Sequence, residues 1–559
     1  MVKKLFILTC VALIVAIPFI FRRLETSLVP RAPDDVIVII TAHNETLRSE
    51  YGRGFSEWYR KKTGKIVTVD WRHPGGGRDV ARYIDSMFLN NFRQYWEKTL
   101  GNPWTQEVRT IFSHLESVPG KAPEKTSKKV PEKSTTPLEH KVRQAFLDSN
   151  VSCNIDLLFG GGVFDHKAQC AKGYTVPCGL IQSHPEWFTD ATIPEFFAGE
   201  RLWDAEGRWV GGSLSTFGII YNSDAVAALG IEHPPATWMD FADPRYINGI
   251  AIVDPTKSSS TLKSYEMLIQ QQMQILFENY LSGRDRNHPG NDYWESLAIK
   301  EGWIAGLQLI QKIVANGHYV TDSSAQTVLD VADGNCPVGI ATDFYGRAEK
   351  ANIENRGAKP RFHFVIPRGG CSPSPDPISL YRGAKHRELA LEFLEYVLTV
   401  PGQSLLAFKV GAPNGPTQTP ICRTPILKTM YSPEFLPHYN DPDVNPYDAG
   451  DFVYREDWTK PVFDALGFIF KIAFLEPEAA LRKAWRQIQK ARKEGRHGAA
   501  ERALAVMEDL SMFDYGTVAE AIMVEAKNKD YLRAIRYQTA IAKKFREQYE
   551  KACKIAKER

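Results

Sequence analysis

From Val36 onward, apolar β-branched runs alternate with amphipathic helix-forming ones, and this order restricts the chain more than any other feature. "VIVIITAHN" precedes "ETLRSEYGRGFSEWYRKKTG", and "KIVTVDW" precedes "RDVARYIDSMF". A strand followed by a helix, repeated, predicts parallel strands with helical crossovers, an α/β fold. The order resumes with "NIDLLFGGG", "GIAIVDP", "PVGIATDFYG" and the return strand "FHFVIPRGG", and then the helix "KHRELALEFLEYVLT". The extended stretch "WVGGSLSTFGIIYN" lies between two alternating blocks, so two lobes joined by extended crossovers are expected. Lobe 1 is assigned to 34–215, lobe 2 to 216–366, and a return to lobe 1 with closing helices to 367–475. Residues 476–559 are helix-forming, charged and poor in β-branched runs, which predicts a C-terminal extension of two to four helices.

The 559 residues are 43% hydrophobic and 24% charged, the balance of a globular chain with a proper core. Against 69 Lys and Arg stand 66 Asp and Glu, and a net charge of +3 argues against a nucleic-acid partner. At the N-terminus Lys3 and Lys4 precede an apolar run from Leu5 to Phe21 that stops at Arg22 and Arg23. Residues 1–33 therefore read as a cleaved signal peptide or an uncleaved membrane anchor, and the rest of the chain as lying outside the cytoplasm. The stretch 117–140 is dominated by Lys, Pro, Ser and Thr and reads as a surface loop or disordered insert in lobe 1. No CxxC pair occurs, and a short loop makes a disulfide between Cys170 and Cys178 an expectation in an oxidising compartment.

Two triple-glycine turns, Gly75–Gly77 and Gly160–Gly162, each join a strand to a helical segment. Glycine is favoured where φ must be positive or where something approaches the main chain, and a helix start offers free N–H groups. Neither turn carries the Lys-Ser or Lys-Thr of a nucleotide loop or the GxGxxG spacing. Ser258, Ser259, Ser260 and Thr261 open another helix, more hydroxyls than one cap needs, and "TAHNE" follows the first strand. Such polar strand ends converge on one cleft in open α/β sheets, where ligands bind. His43, at a strand end, reads equally as a ligand residue or a structural one, while His166 is expected to hydrogen-bond within the fold. No HExxH, GxSxG or histidine pair at metal-ligand spacing is present, so no enzyme and no resident cofactor is expected.

The succession "VIVIITAHNE", "IDLLFGGG", "FGIIYNSD", "PATWMDFADPRYINGIAIVDPTKSSST", "PVGIATDFYG" and "LALEFLEYVLTVPGQ" resembles the bacterial extracellular solute-binding proteins of ABC importers, in their ferric-iron-binding-like branch. The resemblance covers about Val36 to Phe474. It implies a two-lobed type II periplasmic-binding-protein fold that closes on a ligand, a periplasmic protein held at the inner membrane through its N-terminal segment, and ABC permease subunits as partners. Carried over, it implies ligand contacts at His43, Asn44 and Glu45, at Gly161 and Gly162, at Ser215 and Thr216, at Ser258, Ser259, Ser260 and Thr261, and at Asp343 and Tyr345. Ferric-binding members hold iron with two adjacent tyrosines, whereas here Phe344 precedes Tyr345. The expected cargo is thus an iron(III) species or a small anion such as a phosphonate or organic phosphate. The alternative is a ligand-binding sensor or scaffold acting on a partner protein through its C-terminal helices.

Overall fold

The computed structural model describes residues 33–115, 136–286, 288, 290–357, 359–448, 451–518, 522–526 and 531–558. The N-terminal segment read as signal or anchor, and most of the stretch read as a loop or disordered insert, lie outside these residues. Among the described residues no helix is long and apolar enough to cross a membrane. The end of the insert reading is corrected: Pro137–His140 open a helix, Pro137–Leu147, because Thr136 and Glu139 form a reciprocal capping box around its start.

Lobe 1 holds β1 (Asp35–Thr41), α1 (Glu45–Thr63), β2 (Val67–Arg72), α2 (Gly77–Gln94), β3 (Leu157–Phe159), α3 (Val163–Lys172), β4 (Thr175–Val176) and β5 (Val210–Ser215). Lobe 2 holds β6 (Phe217–Asn222), β7 (Ile250–Val253), α4 (Ser259–Leu281), α5 (Asn291–Asn316), β8 (Gly317–Thr321), α6 (Ser324–Ala332), β9 (Val338–Thr342), α7 (Asp343–Asn355) and β10 (Phe362–Val365). The chain then re-enters lobe 1 through β11 (Ser374–Tyr381) and α8 (Arg387–Leu398).

The first sheet has the order β2-β1-β3-β11-β4, with β5 also on β11, and the second β8-β7-β9-β6-β10. β1 runs parallel to β2 and β3, as the strand-helix alternation predicts, and β11 runs antiparallel to β3, β4 and β5. Both faces of each sheet are covered, which is why the strands read as continuous apolar runs. In lobe 1, Ile37 and Ile39 face a core with Tyr51, Phe55 and Phe393, while Ile40 faces Phe88, Phe92 and Phe146 on the other side.

Two short connections join the sheets: Thr216 between β5 and β6, and residues 366–373 between β10 and β11. A third passage follows. Residues Trp458 to Phe474 pack in the large core of lobe 2, where the ring of Phe470 lies 5.4 Å from that of Tyr265 and Gln270 donates to Thr459 Oγ1 at 2.8 Å. The expected return of 367–475 to lobe 1 is corrected for this last part, whose aromatic residues cover α4 instead.

The C-terminal helices α9 (Glu478–Lys493), α10 (His497–Met507) and α11 (Tyr531–Ile555) belong to that same core. α9 buries Leu481, Ala484, Trp485 and Ile488, a stripe at helical spacing. Trp485 Nε1 donates to Asn316 Oδ1 at 2.7 Å, Trp303 Nε1 to the Phe513 carbonyl at 2.8 Å, and Gln311 Nε2 to the Met507 carbonyl at 2.9 Å. The seven described cysteines are free, and the expected Cys170–Cys178 disulfide is absent. Cys170 Sγ instead lies 2.9 Å from Thr175 Oγ1, and Cys178 packs into the core of lobe 1.

Candidate functional site

The lobes face each other across a cleft of about 520 Å³. Five helices begin on it: α2 after Gly76, α3 after Gly162, α4 after Ser258, α6 after Ser323 and α7 after Thr342. The first turn of a helix has N–H groups without intrahelical partners and the positive end of the dipole, so converging starts favour anionic or strongly polar ligands.

The Gly160–Gly162 turn has two requirements of different kinds. Gly160 and Gly161 have φ of +87° and +101°, which glycine adopts without strain. A Cβ on Gly160 would also lie 2.3 Å from His43 Nε2, so the close neighbour of this backbone is an imidazole of the protein itself. At the other turn, a Cβ on Gly76 would lie 3.1 Å from the Lys257 carbonyl oxygen across the cleft. There glycine lets the two lobes approach.

His43 is buried and donates from Nε2 to Asp376 at 2.7 Å. Asp376 stands at a bulge in β11 between Pro375 and Pro377, a departure from regular pairing that accompanies its place on the cleft wall. It also accepts from Arg423, whose guanidinium lies 3.7 Å from the centre of the Phe344 ring. Burial would raise the Asp376 carboxyl, but His43 and Arg423 outweigh it and hold the group well below the usual carboxylate range. Burial also lowers the His43 pKa, so the ring is neutral near pH 7; with Nε2 donating, Nδ1 is an acceptor, and it has no partner in the protein.

Contacts cross the cleft as well. Lys167 pairs with Glu456 at 2.6 Å, and the Phe164 ring lies 4.7 Å from that of Phe463. Lys263 of lobe 2 pairs with Glu200 of lobe 1 and with Glu266, each at 3.1 Å, and lies over the Tyr454 ring. Burial disfavours the Lys263 charge, yet the two carboxylates outweigh it and raise its pKa. Burial pushes the carboxyl of Glu200 up, and that of Asp165 at the start of α3 likewise. Among the described residues no group of three or more His, Cys, Asp or Glu side chains is placed to hold a metal ion.

Of the residues singled out from sequence, His43, Gly161, Gly162, Ser215, Ser258, Ser259, Ser260 and Tyr345 line the cleft. The other five do not. Asn44 caps α1 by accepting from Leu47 N, and exposed Glu45 pairs with Arg48. Thr216 is buried at the crossover and its carbonyl accepts from Asp343 N at 2.9 Å. Thr261 N donates to Ser258 Oγ, and Asp343 is buried against Arg347 at 2.9 Å. Sequence reasoning missed Asp376, Arg423, Lys257, Lys263, Glu200 and Glu456. Asp376 carried a signal, a lone carboxylate between two prolines in a return strand; the others gain their meaning only from packing.

Residues 179–421 match the sequence profile of the family described as bacterial extracellular solute-binding protein. An uncharacterized protein of Haemophilus influenzae is 23% identical over 252 residues, 45% of this chain and 60% of that protein. The phosphoglycerate transport regulatory protein PgtC of Salmonella typhimurium is 24% identical over 195 residues, 35% of this chain and 40% of that protein. The matched part thus spans less than two thirds of either relative. Among solved structures, the periplasmic binding protein AfuA of Actinobacillus pleuropneumoniae, with fructose-6-phosphate bound, aligns over 78% of this chain and 99% of its own at 15% identity and a TM-score of 0.43. Over residues 179–421, less than half of its length, the chain is thus similar to the bacterial extracellular solute-binding proteins.

Proposed function

We propose that the protein is an extracytoplasmic receptor that captures a small organic anion, of the phosphate-ester or phosphonate class, between its lobes and hands it to an ABC permease without chemical turnover. The observation that carries this reading is the convergence of five helix starts on one interlobe cleft. The anion is favoured over iron(III) because Phe344 stands where a tyrosine pair would have its first phenol, and the Arg423 guanidinium stacks on its ring. The name of the Salmonella relative, a phosphoglycerate transport regulatory protein, supports the same ligand class. The match of residues 179–421 to an extracellular solute-binding family supports a periplasmic location.

A second reading, in which the bound state is sensed by a partner protein, is favoured by one observation. The C-terminal helices share the core of lobe 2, so their outer surface moves with that lobe on closure. Thermal shift of the purified protein against phosphate esters, phosphonates, iron(III) chelates, polyamines and sugars tests the first reading. A ligand at 100 times its Kd stabilises by about 2.7 kcal/mol, so a shift confined to the phosphorus compounds is expected, and one confined to iron chelates would overturn it.

A further inference from the structure

Charge is spread unevenly along the chain. Residues 476–559 carry 19 Lys and Arg against 13 Asp and Glu, whereas the rest of the chain has 50 against 53. On α9 the exposed Lys483, Arg486, Lys490 and Lys493 recur at three- and four-residue spacing, a cationic stripe about 15 Å long on one face of the helix. Neither Lys483 nor Arg486 has an acid three or four residues away. Of the four, only Lys490 forms an ion pair among the described residues, with Glu494 at 3.8 Å. Cations on other helices are paired at that spacing: Arg53 with Glu57, Lys350 with Glu354 and Lys543 with Glu547. Like charges so spaced destabilise a helix, and the dipole compensates only in the last turn, at Lys490 and Lys493. The repulsion is felt next to the stripe, where burial lowers the Arg482 pKa and Arg486 lowers it further, by more than Glu478 restores. The stripe thus weakens the helix and forms no compensating contact within the fold, which marks it as a surface for an external anion.

The shape of this face decides what the anion is. The open depression over it, about 560 Å³, is lined by residues of α9 alone, so no second wall exists to hold a peptide or a small molecule by shape. The apolar side of α9, with Leu481, Trp485 and Ile488, is buried in the core of lobe 2, so the helix has nothing to insert between acyl chains. A straight row of long cations on a rigid helix suits a continuous sheet of negative charge. We propose that the exposed face of α9 is a peripheral docking surface for an anionic phospholipid bilayer, engaged at headgroup level by Lys483, Arg486, Lys490 and Lys493. The uneven charge then orients the molecule, with the extension towards the bilayer and the cleft-bearing body away from it. This goes beyond the solute-receptor reading and does not depend on what the cleft holds.

The test is cosedimentation of the purified full-length protein with vesicles of phosphatidylcholine, alone or with about 30% phosphatidylglycerol, combined with mapping of lysine acetylation on the same vesicles. Partitioning onto the anionic vesicles is expected to exceed that onto the neutral ones at least tenfold at about 50 mM salt and to fall to parity at about 500 mM, where the charges are screened. Lys483, Lys490 and Lys493 should be protected from acetylation on the anionic vesicles only, while Lys359, 81% exposed, stays reactive on both. One cation near the surface contributes about fivefold, so Lys483→Gln combined with Lys490→Gln should reduce the preference at least tenfold, with a urea midpoint no lower than the parent's. Lys350→Gln combined with Lys359→Gln removes the same charge beside β10, at the opposite sheet edge from β8, whose His318 carbonyl accepts from Arg482; that variant should keep the preference within about twofold. Equal retention on both vesicles with the stripe unprotected, the result expected of the apolar run Leu5 to Phe21 acting alone, would overturn the inference. A preference that survives loss of Lys483 and Lys490 would overturn it as well. Binding of polyglutamate that is lost in the Lys483 and Lys490 variant, without any preference for phosphatidylglycerol, would replace the bilayer with an acidic protein partner.

Discussion

His166 sits beneath the glycine turn with both ring nitrogens occupied. Nε2 donates to the Gly160 carbonyl at 3.1 Å, so Nδ1 must accept from the Ser379 hydroxyl at 2.6 Å. Burial pushes its pKa from 6.5 down to about 4. A folded-state pKa below the unfolded one contributes stability that is present above pH 6.5 and is lost as pH falls through about 4. That gap corresponds to roughly 3 kcal/mol. Urea midpoints at pH 7 and 4.5 are expected to show the parent's advantage over His166→Gln shrinking on acidification; a constant advantage would mean the ring is not held neutral. Gly160→Ala meets two obstacles, a φ of +87° and the imidazole of His43 at 2.3 Å, and is expected to lower stability by roughly 1–3 kcal/mol, read by the same urea unfolding. At this scale the polar strand ends were legible in the sequence because serines and glycines at helix starts are a local signal. The partners were not. Arg423 stands 47 residues beyond Asp376, and Glu200 63 residues before Lys263; the first pair forms only when lobe 1 folds and the second only when the lobes meet.

At the scale of elements, the strongest packing constraint lies between α4 and α5. Gly302 and Gly306, one helical turn apart on α5, let its backbone approach α4: a Cβ on Gly302 would lie 2.4 Å from Met273 Cα, and one on Gly306 2.8 Å from Ile269 Cα. In an exposed helix, Gly→Ala would gain about 1 kcal/mol in propensity. Here backbone atoms obstruct the added methyl, and Gly302→Ala is expected instead to destabilise by roughly 1–3 kcal/mol, with a matching fall in the urea midpoint and no change in its slope. Stabilisation would show that the helices separate freely. The strand-helix alternation of 36–172 was readable because parallel strands buried on both faces have an unmistakable apolar run. The destination of 458–474 was not readable: an apolar helical stretch declares that it is buried but not against which lobe. Nor was the true start of the helix at Pro137, where a capping box is only four residues long and borders a polar stretch.

At the scale of the whole molecule, the pair that closes the outer edge of the cleft, Lys167 with Glu456, is about one-third exposed on both sides. Exposed pairs contribute only about 0–1 kcal/mol, so this pair adds little to the free energy of closure. Glu456→Ala is therefore expected to change ligand affinity by less than about fivefold, while scattering shows compaction of parent and variant alike on saturation. The C-terminal helices are a different case. Their charged sequence reads as an appendage because a single buried stripe on each helix is diluted by solvated residues, yet those stripes complete the core of lobe 2. Removing residues after 475 would uncover Trp303 and Ile313, strip Asn316 of the Trp485 indole, and leave Gln311 without Met507 and Tyr549. Each uncovered large apolar side chain costs about 1.5–3 kcal/mol, and several together exceed the 5–15 kcal/mol by which a protein of this kind is stable. The shortened chain is accordingly expected to lose cooperative unfolding and to bind no ligand, a result that says nothing about partners. If it instead melted as sharply as the parent and kept its ligand, the extension would be separable and its surface would be free to serve a partner without reference to the state of the cleft.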